Sequence, residues 1–195
     1  MLKQIYPAFA MTVVLTVLLG VIYPLAVTGL AQVMFPAKAG GSLIEKDGKI
    51  IGSSLIGQPF TGPGYFHSRA SAAGSGYDAT ASAGTNLGPT NQKLMDNVKT
   101  AAESLREENP ESPIPIDLVT TSASGLDPHI TPAAAEFQVP RIAKQRGMIA
   151  EEVRRLVREH TEGRQFSLLG EPRVNVLELN LELDAIRPMA RASSR

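Results

Sequence analysis

The amino-acid sequence predicts an α+β fold, in which one N-terminal transmembrane helix precedes a small, loop-rich soluble domain. Residues 4–37 contain no charged side chain, whereas the rest of the chain mixes acidic and basic residues. The 17 Gly and 14 Pro among 195 residues indicate long loops. After residue 36, short apolar runs of strand length come before several amphipathic segments of helix length, an order that is typical of an α+β domain.

The composition excludes several classes of protein. The chain carries 19 basic and 19 acidic side chains, so its formal charge of zero argues against an extended nucleic-acid surface. The absence of Cys excludes disulfides, Cys-ligated zinc, iron–sulfur clusters and thiol catalysis. The three His residues lie far apart in the sequence, and no phosphate-binding loop or serine-hydrolase motif occurs. We therefore predict no catalytic residue, no metal site and no cofactor belonging to this chain.

The first predicted element is a transmembrane helix over about residues 9–30. As an α-helix this segment is about 33 Å long, which matches the bilayer core of about 30 Å. Tyr6 and Phe9 lie at one edge and Phe35 at the other, where interfacial aromatic residues are favoured. Pro24 falls inside the segment and predicts a local disruption of the helix.

A cleaved signal peptide is the alternative interpretation, because Ala37-Lys38-Ala39 resembles a small-x-small cleavage site. Signal peptides have apolar cores of about 7–15 residues, and the longer segment here favours an uncleaved anchor. We therefore expect a tail and helix over 1–35, a soluble domain over 36–187 and a frayed tail over 188–195. The flanking lysines do not decide which side of the membrane the domain occupies.

The soluble domain is predicted to begin with a hairpin and a long ordered loop. Asp47-Gly48 stands between two short apolar runs, which is a strong hairpin signal. Residues 50–92 then contain only two charges, Arg69 and Asp78, and four interleaved aromatic residues. The aromatic residues favour a packed loop over a flexible linker. The two charges either pair with each other and close the loop, or meet a partner.

The second half of the domain is predicted to be mainly helical. A helix capped by Thr90 or Asn91 is followed by an extended Pro-rich segment, and a further helix begins at the Thr131-Pro132 cap. That helix is expected to break or kink at Pro140. The predicted bounds are a helix over 91–108, an extended segment over 110–128, a helix ending at Gly147, a helix over 151–160, and a strand over 173–176 that turns into a helix to about 186.

Residues 120–129 are rich in hydroxyl groups and contain Gly125, so their backbone amides are one candidate for an anion-binding nest. The alternative is a turn in which Asp127 bonds to its own backbone, and the local sequence favours this turn. Ser124, Asp127 and His129 are also the candidates for a membrane-tethered extracytoplasmic hydrolase. Three such groups within six residues of one turn are poorly placed to form a catalytic triad.

Seven strings occur in a characteristic order behind the anchor: GSSLIGQ (52–58), YFHSR (65–69), GYD (76–78), NLGPTN (86–91), SGLDPHI (124–130), HTE (160–162) and GEPRVNVL (170–177). Together they resemble the KdpC family, the C subunit of the Kdp potassium-transporting P-type ATPase. Small departures from the family pattern occur at Ala70, Thr85 and Thr131. The resemblance covers the chain to about residue 183.

The resemblance implies a non-catalytic, single-pass subunit of a bacterial inner-membrane complex for high-affinity potassium import. The N-terminus is then cytoplasmic and the domain periplasmic. The implied partners are a channel-like A subunit, an ATP-hydrolysing B subunit and a small F subunit. KdpC is implied to be needed for assembly and to act as a catalytic chaperone that raises the ATP affinity of the B subunit. The segment implied in that role contains Thr121, Ser122, Ser124, Gly125 and Asp127.

A periplasmic domain is separated from cytoplasmic ATP by about 30 Å of hydrocarbon. We therefore expect the effect on ATP to be indirect, with ATP bound by the B subunit. Small residues permit close helix approach, and the expected partner contacts are Gly20, Pro24, Gly29, Tyr65, Phe66, Arg69, Tyr77, Asp78, Asn86 and Asn91. A scaffold unrelated to potassium is the remaining alternative.

Overall fold

The computed structural model describes residues 2–189, which form two compact units, one up to Ser53 and one from Ser54 onwards. The elements of the first unit are α1 (Ile5–Val17), α2 (Tyr23–Met34), α3 (Pro36–Ala39), β1 (Leu43–Lys46) and β2 (Lys49–Ser53). Those of the second are α4 (Gln92–Glu108), α5 (Ile116–Val119), β3 (His129–Ile130), α6 (Pro132–Arg146), α7 (Ala150–Glu159), β4 (Thr161–Glu162), β5 (Arg173–Asn175) and α8 (Val176–Ile186). The α+β fold class is confirmed.

The predicted N-terminal helix is confirmed as one apolar helix, Ile5–Met34, with a mean hydropathy of 2.3 and none of its most apolar window buried. Its 30 residues extend about 45 Å, so it is long and apolar enough to cross a membrane. A π-helical turn, Leu18–Ile22, joins α1 to α2. Proline has no N–H and clashes with the carbonyl four residues earlier. The helix disruption predicted at Pro24 is therefore present as the wider π-helical turn just before it.

The predicted hairpin is confirmed, with β1 antiparallel to β2. Asp47 and Gly48 have φ angles of +53° and +72°. Positive φ at both central residues defines the type I′ turn, whose twist matches that of the flanking strands. The Asp-Gly pair is therefore the local cause of the hairpin.

The second unit has its core where α6, α7 and α8 pack on a three-stranded antiparallel sheet of order β3-β5-β4. The predicted amphipathic helix at 151–160 is confirmed as α7, which buries Val153, Leu156 and Val157. The core residues are Phe66, Ile130, Ala134, Ala135, Val139, Ile142, Ala143, Val153, Leu156, Val157, Val174, Val176, Leu179 and Leu183.

Of the two outcomes predicted at Pro140, a break or a kink, the break is wrong, because α6 continues through Pro140 to Arg146. Pro140 and Glu136 are both exposed, so water can satisfy the Glu136 carbonyl that proline leaves without a donor. Val139 and Ile142, on either side of Pro140, are fully buried and hold both halves of the helix against the core. The helix ends as predicted at Gly147, whose φ of +61° is left-handed.

The other predicted elements are confirmed with one addition. The strand β5 passes directly into α8, and the Asn175 side chain caps the helix by accepting from the Glu178 amide. The helix α4 begins after its cap, Asn91. The segment 110–128, predicted to be extended, also contains the short helix α5. Of the predicted C-terminal tail, residues 190–195 lie outside the described residues.

Candidate functional site

The candidate functional site is the region where the long loop 57–92 meets segment 120–129. The two pair at a parallel bridge between Ala70 and Thr121. The Gly57 amide also donates to the Leu126 carbonyl at 2.8 Å. A Cβ at Gly57 would lie 2.6 Å from the Asp127 carbonyl oxygen, so this close approach requires glycine.

Two buried amide side chains fasten the loop to the helical core. Asn180 accepts from the Phe66 amide at 2.8 Å and donates to the Phe66 carbonyl at 2.9 Å. Gln138 does the same for His67, at 2.8 and 3.1 Å. Each side chain satisfies both backbone groups of one loop residue, as a neighbouring strand would. The loop is therefore held in one position without being a strand.

The aromatic residues at the start of the loop pack on the same core. Phe66 is fully buried. Tyr65 lies beneath the Arg146 guanidinium, 4.7 Å from the ring centroid, and donates to Asp184 Oδ2 at 3.0 Å. Of these two expected partner contacts, the structure places Phe66 inside the domain and leaves Tyr65 partly exposed.

His67 is a partly buried titratable group at the start of the loop. Its Nε2 lies 3.0 Å from the Gly62 carbonyl oxygen, which can only accept, so Nε2 carries the proton of the neutral ring. Burial and the positive charge of Arg141 lower the pKa of His67, although the Gly62 carbonyl and Glu108 oppose that shift. The neutral ring is therefore the form that this site stabilises.

The suggested ion pair between Arg69 and Asp78 is wrong, because Arg69 pairs with Asp127 at 3.4 Å. Arg69 also donates to the Thr121 carbonyl at 3.1 Å. The Asp78 carboxylate instead accepts from the amide and hydroxyl of Thr80, at 2.9 and 2.7 Å. Hydrogen bonds from Thr80 lower the pKa of Asp78. The Asp78 carboxylate thus bonds to Thr80, two residues away in a local turn, and not to the Arg69 guanidinium.

Ser71, Tyr77 and Gly125 lock the two segments together. The Ser71 hydroxyl donates to the Gly125 carbonyl and accepts from the Tyr77 amide at 2.9 Å. The Tyr77 hydroxyl donates to the Arg69 carbonyl, and burial raises the pKa of Tyr77. Gly125 has a φ of +66°, and a Cβ there would lie 2.7 Å from backbone atoms of Ala73 and Ala83.

Three amides of the candidate anion-binding nest are engaged within the chain. The Gly125 amide donates to Ser122 Oγ at 2.9 Å and the Leu126 amide to Ser124 Oγ at 3.1 Å. The His129 amide donates to Asp127 Oδ1 at 3.0 Å. This is the turn that the local sequence favours, with Asp127 bonded to its own backbone.

The candidate hydrolase residues do not form a relay in this structure. His129 Nδ1 lies 3.6 Å from Asp127 Oδ1. Within residues 2–189, however, no hydrogen bond joins Ser124 to His129, and Ser124 Oγ accepts from the Leu126 amide at 3.1 Å. Burial opposes ionisation of Asp127, but hydrogen bonds from His129 and the charge of Arg69 lower its pKa overall. Asp127 thus serves as a structural anion held between the Arg69 guanidinium and the His129 ring.

A cleft of about 290 Å³ opens beside this cluster. Its lining includes two basic side chains, Arg69 and Arg173, and three acidic ones, Asp117, Asp127 and Glu171. Asp117 is already engaged by the Thr131 amide at 2.8 Å. Charges of both signs line the cleft, so its lining does not select for anions or for cations. The part of the chain that the structure describes holds no group of three or more residues suited to a metal ion.

The remaining expected contacts are exposed. Asn91 caps α4 by accepting from the Lys93 amide at 2.9 Å, and Asn86 lies on an exposed stretch of the loop with a φ of +53°. In the N-terminal helix, a Cβ at Gly20 would touch only Thr16, 4.0 Å away, and one at Gly29 would touch nothing. Both glycines therefore leave open surface on the helix. Pro24 is exposed as well.

The residues that hold the site in place are not among those predicted from the sequence. Asn180 and Gln138 are each 1% exposed, and both lie on the core-facing side of their helices. A polar amide within an apolar helical stripe is the signal that can identify such residues, because buried polar groups need partners. The sequence alone does not identify those partners, which lie 114 and 71 residues away.

Comparison with known proteins gives consistent matches over almost the whole chain. The family model KdpC, described as the c chain of the K⁺-transporting ATPase, matches residues 5–185. A potassium-transporting ATPase KdpC subunit of Koribacter versatilis is 64% identical over 189 residues, covering 97% of this chain and 98% of the relative. KdpC subunits of Rhodopseudomonas palustris and Bradyrhizobium diazoefficiens are 56% and 54% identical, covering 96% and 94% of this chain and 100% and 98% of the relatives.

Proposed function

The chain belongs to the KdpC family of potassium-transporting ATPase subunits, and we propose that it is a non-catalytic accessory subunit needed for assembly of an ATP-driven potassium import complex. Its partners in this proposal are the channel-like A subunit, the ATP-hydrolysing B subunit and the small F subunit. The helix Ile5–Met34 anchors the chain in the bacterial inner membrane. The N-terminus is cytoplasmic and the second unit lies in the periplasm.

The observation that carries the accessory role is the fastening of loop 57–92. Asn180, Gln138 and Ser71 hold the loop through hydrogen bonds to its own and neighbouring backbone. A loop held in one position loses little conformational entropy on docking, and this favours specific contact with another protein. Among the described residues, in contrast, Ser124 bonds to the Leu126 amide and not to His129, and this gives no support to a hydrolase.

We propose that the chain raises the ATP affinity of the B subunit without touching ATP. Phosphate recognition by residues 121–127 needs free amide donors, and the Gly125 and Leu126 amides already donate to Ser122 and Ser124. The effect then passes through the A and B subunits, as a shift between conformations that bind this chain with different affinity. By linkage, ATP must tighten the association of this chain by the same factor.

That reciprocity is the test of the chaperone role. The full-length chain is titrated onto the complex of the other subunits in detergent, with and without a non-hydrolysable ATP analogue. We expect a lower dissociation constant in the presence of the analogue. Equal dissociation constants contradict the coupling. Labelling of Ser122 or Ser124 by a photoreactive ATP in intact cells contradicts its indirect character.

Deletion of the chain tests the link to potassium itself. We expect cells that depend on this complex to stop growing on limiting potassium, and to recover when the full-length chain is restored. Normal growth after deletion favours a scaffold unrelated to potassium. The hydrolase is favoured by two results together. The wild-type chain but not the Ser124→Ala chain restores growth, and the purified chain hydrolyses a substrate.

A further inference from the structure

The loop between β4 and β5 carries a concentration of exposed apolar side chains outside the site described above. Phe166, Leu168 and Leu169 are 94%, 77% and 58% exposed. We call these three residues the apolar tip. Leu55 and Ile56 form the other close group of this unit but are less exposed, at 60% and 38%, whereas Ile116 and Ile149 stand singly. A close group of exposed apolar residues on a soluble unit marks a contact surface more often than scattered single residues do.

The backbone of the tip is held in an unusual conformation. Gln165 and Leu169 exchange two backbone hydrogen bonds of 2.9 Å, and the Leu168 amide donates to the Gln165 carbonyl at 3.1 Å. Phe166 and Ser167 occupy the two central positions of this turn, with φ angles of +52° and +59°. Asn-Gly is preferred there, and a bulky residue with positive φ is a genuine outlier. Strained backbone of this kind concentrates at sites of function.

Two ion pairs brace the stem of the hairpin. Arg164 contacts both carboxylate oxygens of Glu171, at 2.9 and 2.7 Å. Arg173 bonds to Glu162 at 2.8 Å, where β4 and β5 pair. The stem therefore presents the tip at a defined position. Its four charges also cancel, two of each sign, so the stem does not provide the basic surface that binds anionic lipid.

We infer that the apolar tip docks into an apolar pocket on another subunit of the potassium-transporting ATPase. The inference rests on the proposed function, because membership of a multisubunit complex supplies the partner. A neutral stem and an apolar, preformed tip fit a protein pocket, where a buried aromatic side chain acts as an anchor. The expected contacts in loop 57–92 do not include this surface, so the tip is a second, separate contact.

The direct test places a benzophenone amino acid at position 166 of the full-length chain in membranes that contain the whole complex. The matched control carries the same group at Ile149, which is 69% exposed in the same unit. We expect an adduct between position 166 and another subunit of the ATPase, and much less from position 149. Three results overturn the inference: an adduct with lipid only, an adduct with a second copy of this chain only, or no adduct above the control.

A substitution supplies the energetic test. Phe166→Ser is expected to increase the dissociation constant for the remaining subunits at least about 30-fold, as for a hot-spot residue. Ile149→Ser is expected to leave that constant unchanged. The thermal unfolding midpoint of the Phe166→Ser chain should not fall, because Phe166 makes little contact with its own unit. Equal affinity of wild type and Phe166→Ser overturns the inference alone, whereas a wild-type chain that binds none of the subunits overturns the proposed function as well.

Discussion

Substitution of Asn180 by leucine tests whether buried amides hold the loop in place. Asn180 is 1% exposed and satisfies both backbone groups of Phe66. Leucine has the same number and branching of side-chain heavy atoms but no polar atom, so the substitution leaves a buried N–H and a buried C=O without partners. Each unsatisfied group costs about 1–3 kcal/mol, which predicts a loss of about 2–6 kcal/mol in the free energy of unfolding. The whole free energy of unfolding of a typical domain is only about 5–15 kcal/mol.

The assay is chemical denaturation of the full-length chain in detergent, together with hydrogen exchange at the Phe66 and His67 amides. We expect a lower denaturation midpoint and faster exchange at both amides, because the loop separates from the core. Asn97→Leu is the matched control, since Asn97 is exposed on α4, and such surface changes stay within about 0.5 kcal/mol. Asn180 does not hold the loop if Asn180→Leu lowers the free energy of unfolding no more than Asn97→Leu does and leaves exchange at the Phe66 amide unchanged.

The pKa of His67 is lowered by burial and by Arg141, so the unfolded chain binds a proton that the folded chain lacks as pH falls below about 6.5. The contribution of neutral His67 to the free energy of unfolding is therefore fully present above that pH and is lost as the pH falls below it. His67→Gln should flatten this decline between pH 7.5 and 5.5 in denaturation experiments, and an unaltered slope contradicts the assignment. Gly125→Ala combines a left-handed φ with backbone clashes at 2.7 Å, whereas Gly170→Ala has only a left-handed φ. We expect the first to cost at least about 2 kcal/mol and the second about 1 kcal/mol in the free energy of unfolding, and equal costs contradict the close packing. Gly20→Leu should reduce recovery of the chain with the ATPase subunits in detergent, because it fills open helix surface, and undiminished recovery speaks against packing there.

Elements set by local chemistry were predictable from the sequence. Asp47-Gly48 specifies its turn through two adjacent residues. Asn91 and Thr131 specify helix starts through side chains that reach an amide two or three residues away. The strand-to-helix change after Asn175 follows from the strong helix formers beyond Leu177. In each case the energy that decides the conformation lies within a few residues of the chain.

Features set by tertiary contacts were not predictable in the same way. Pro140 is a helix breaker by local rules, but buried neighbours on both sides hold α6 together. Arg69 lies nine residues from Asp78 and 58 residues from Asp127, and the sequence spacing gives no indication that the distant partner is chosen. The apolar tip gave no signal because Phe166 and its neighbours show neither helical nor strand periodicity. The unusual composition of the loop located the site, but the sequence did not predict which of its residues contact each other.

The decisive measurement for an indirect effect on ATP is the ATP affinity of the proposed B subunit. It is measured on the complex of the other subunits, before and after the full-length chain is added back. We expect tighter ATP binding with the chain present, with no photoreactive ATP attached to residues 121–127. Unchanged affinity after full incorporation of the chain, or ATP attached to that segment, contradicts it.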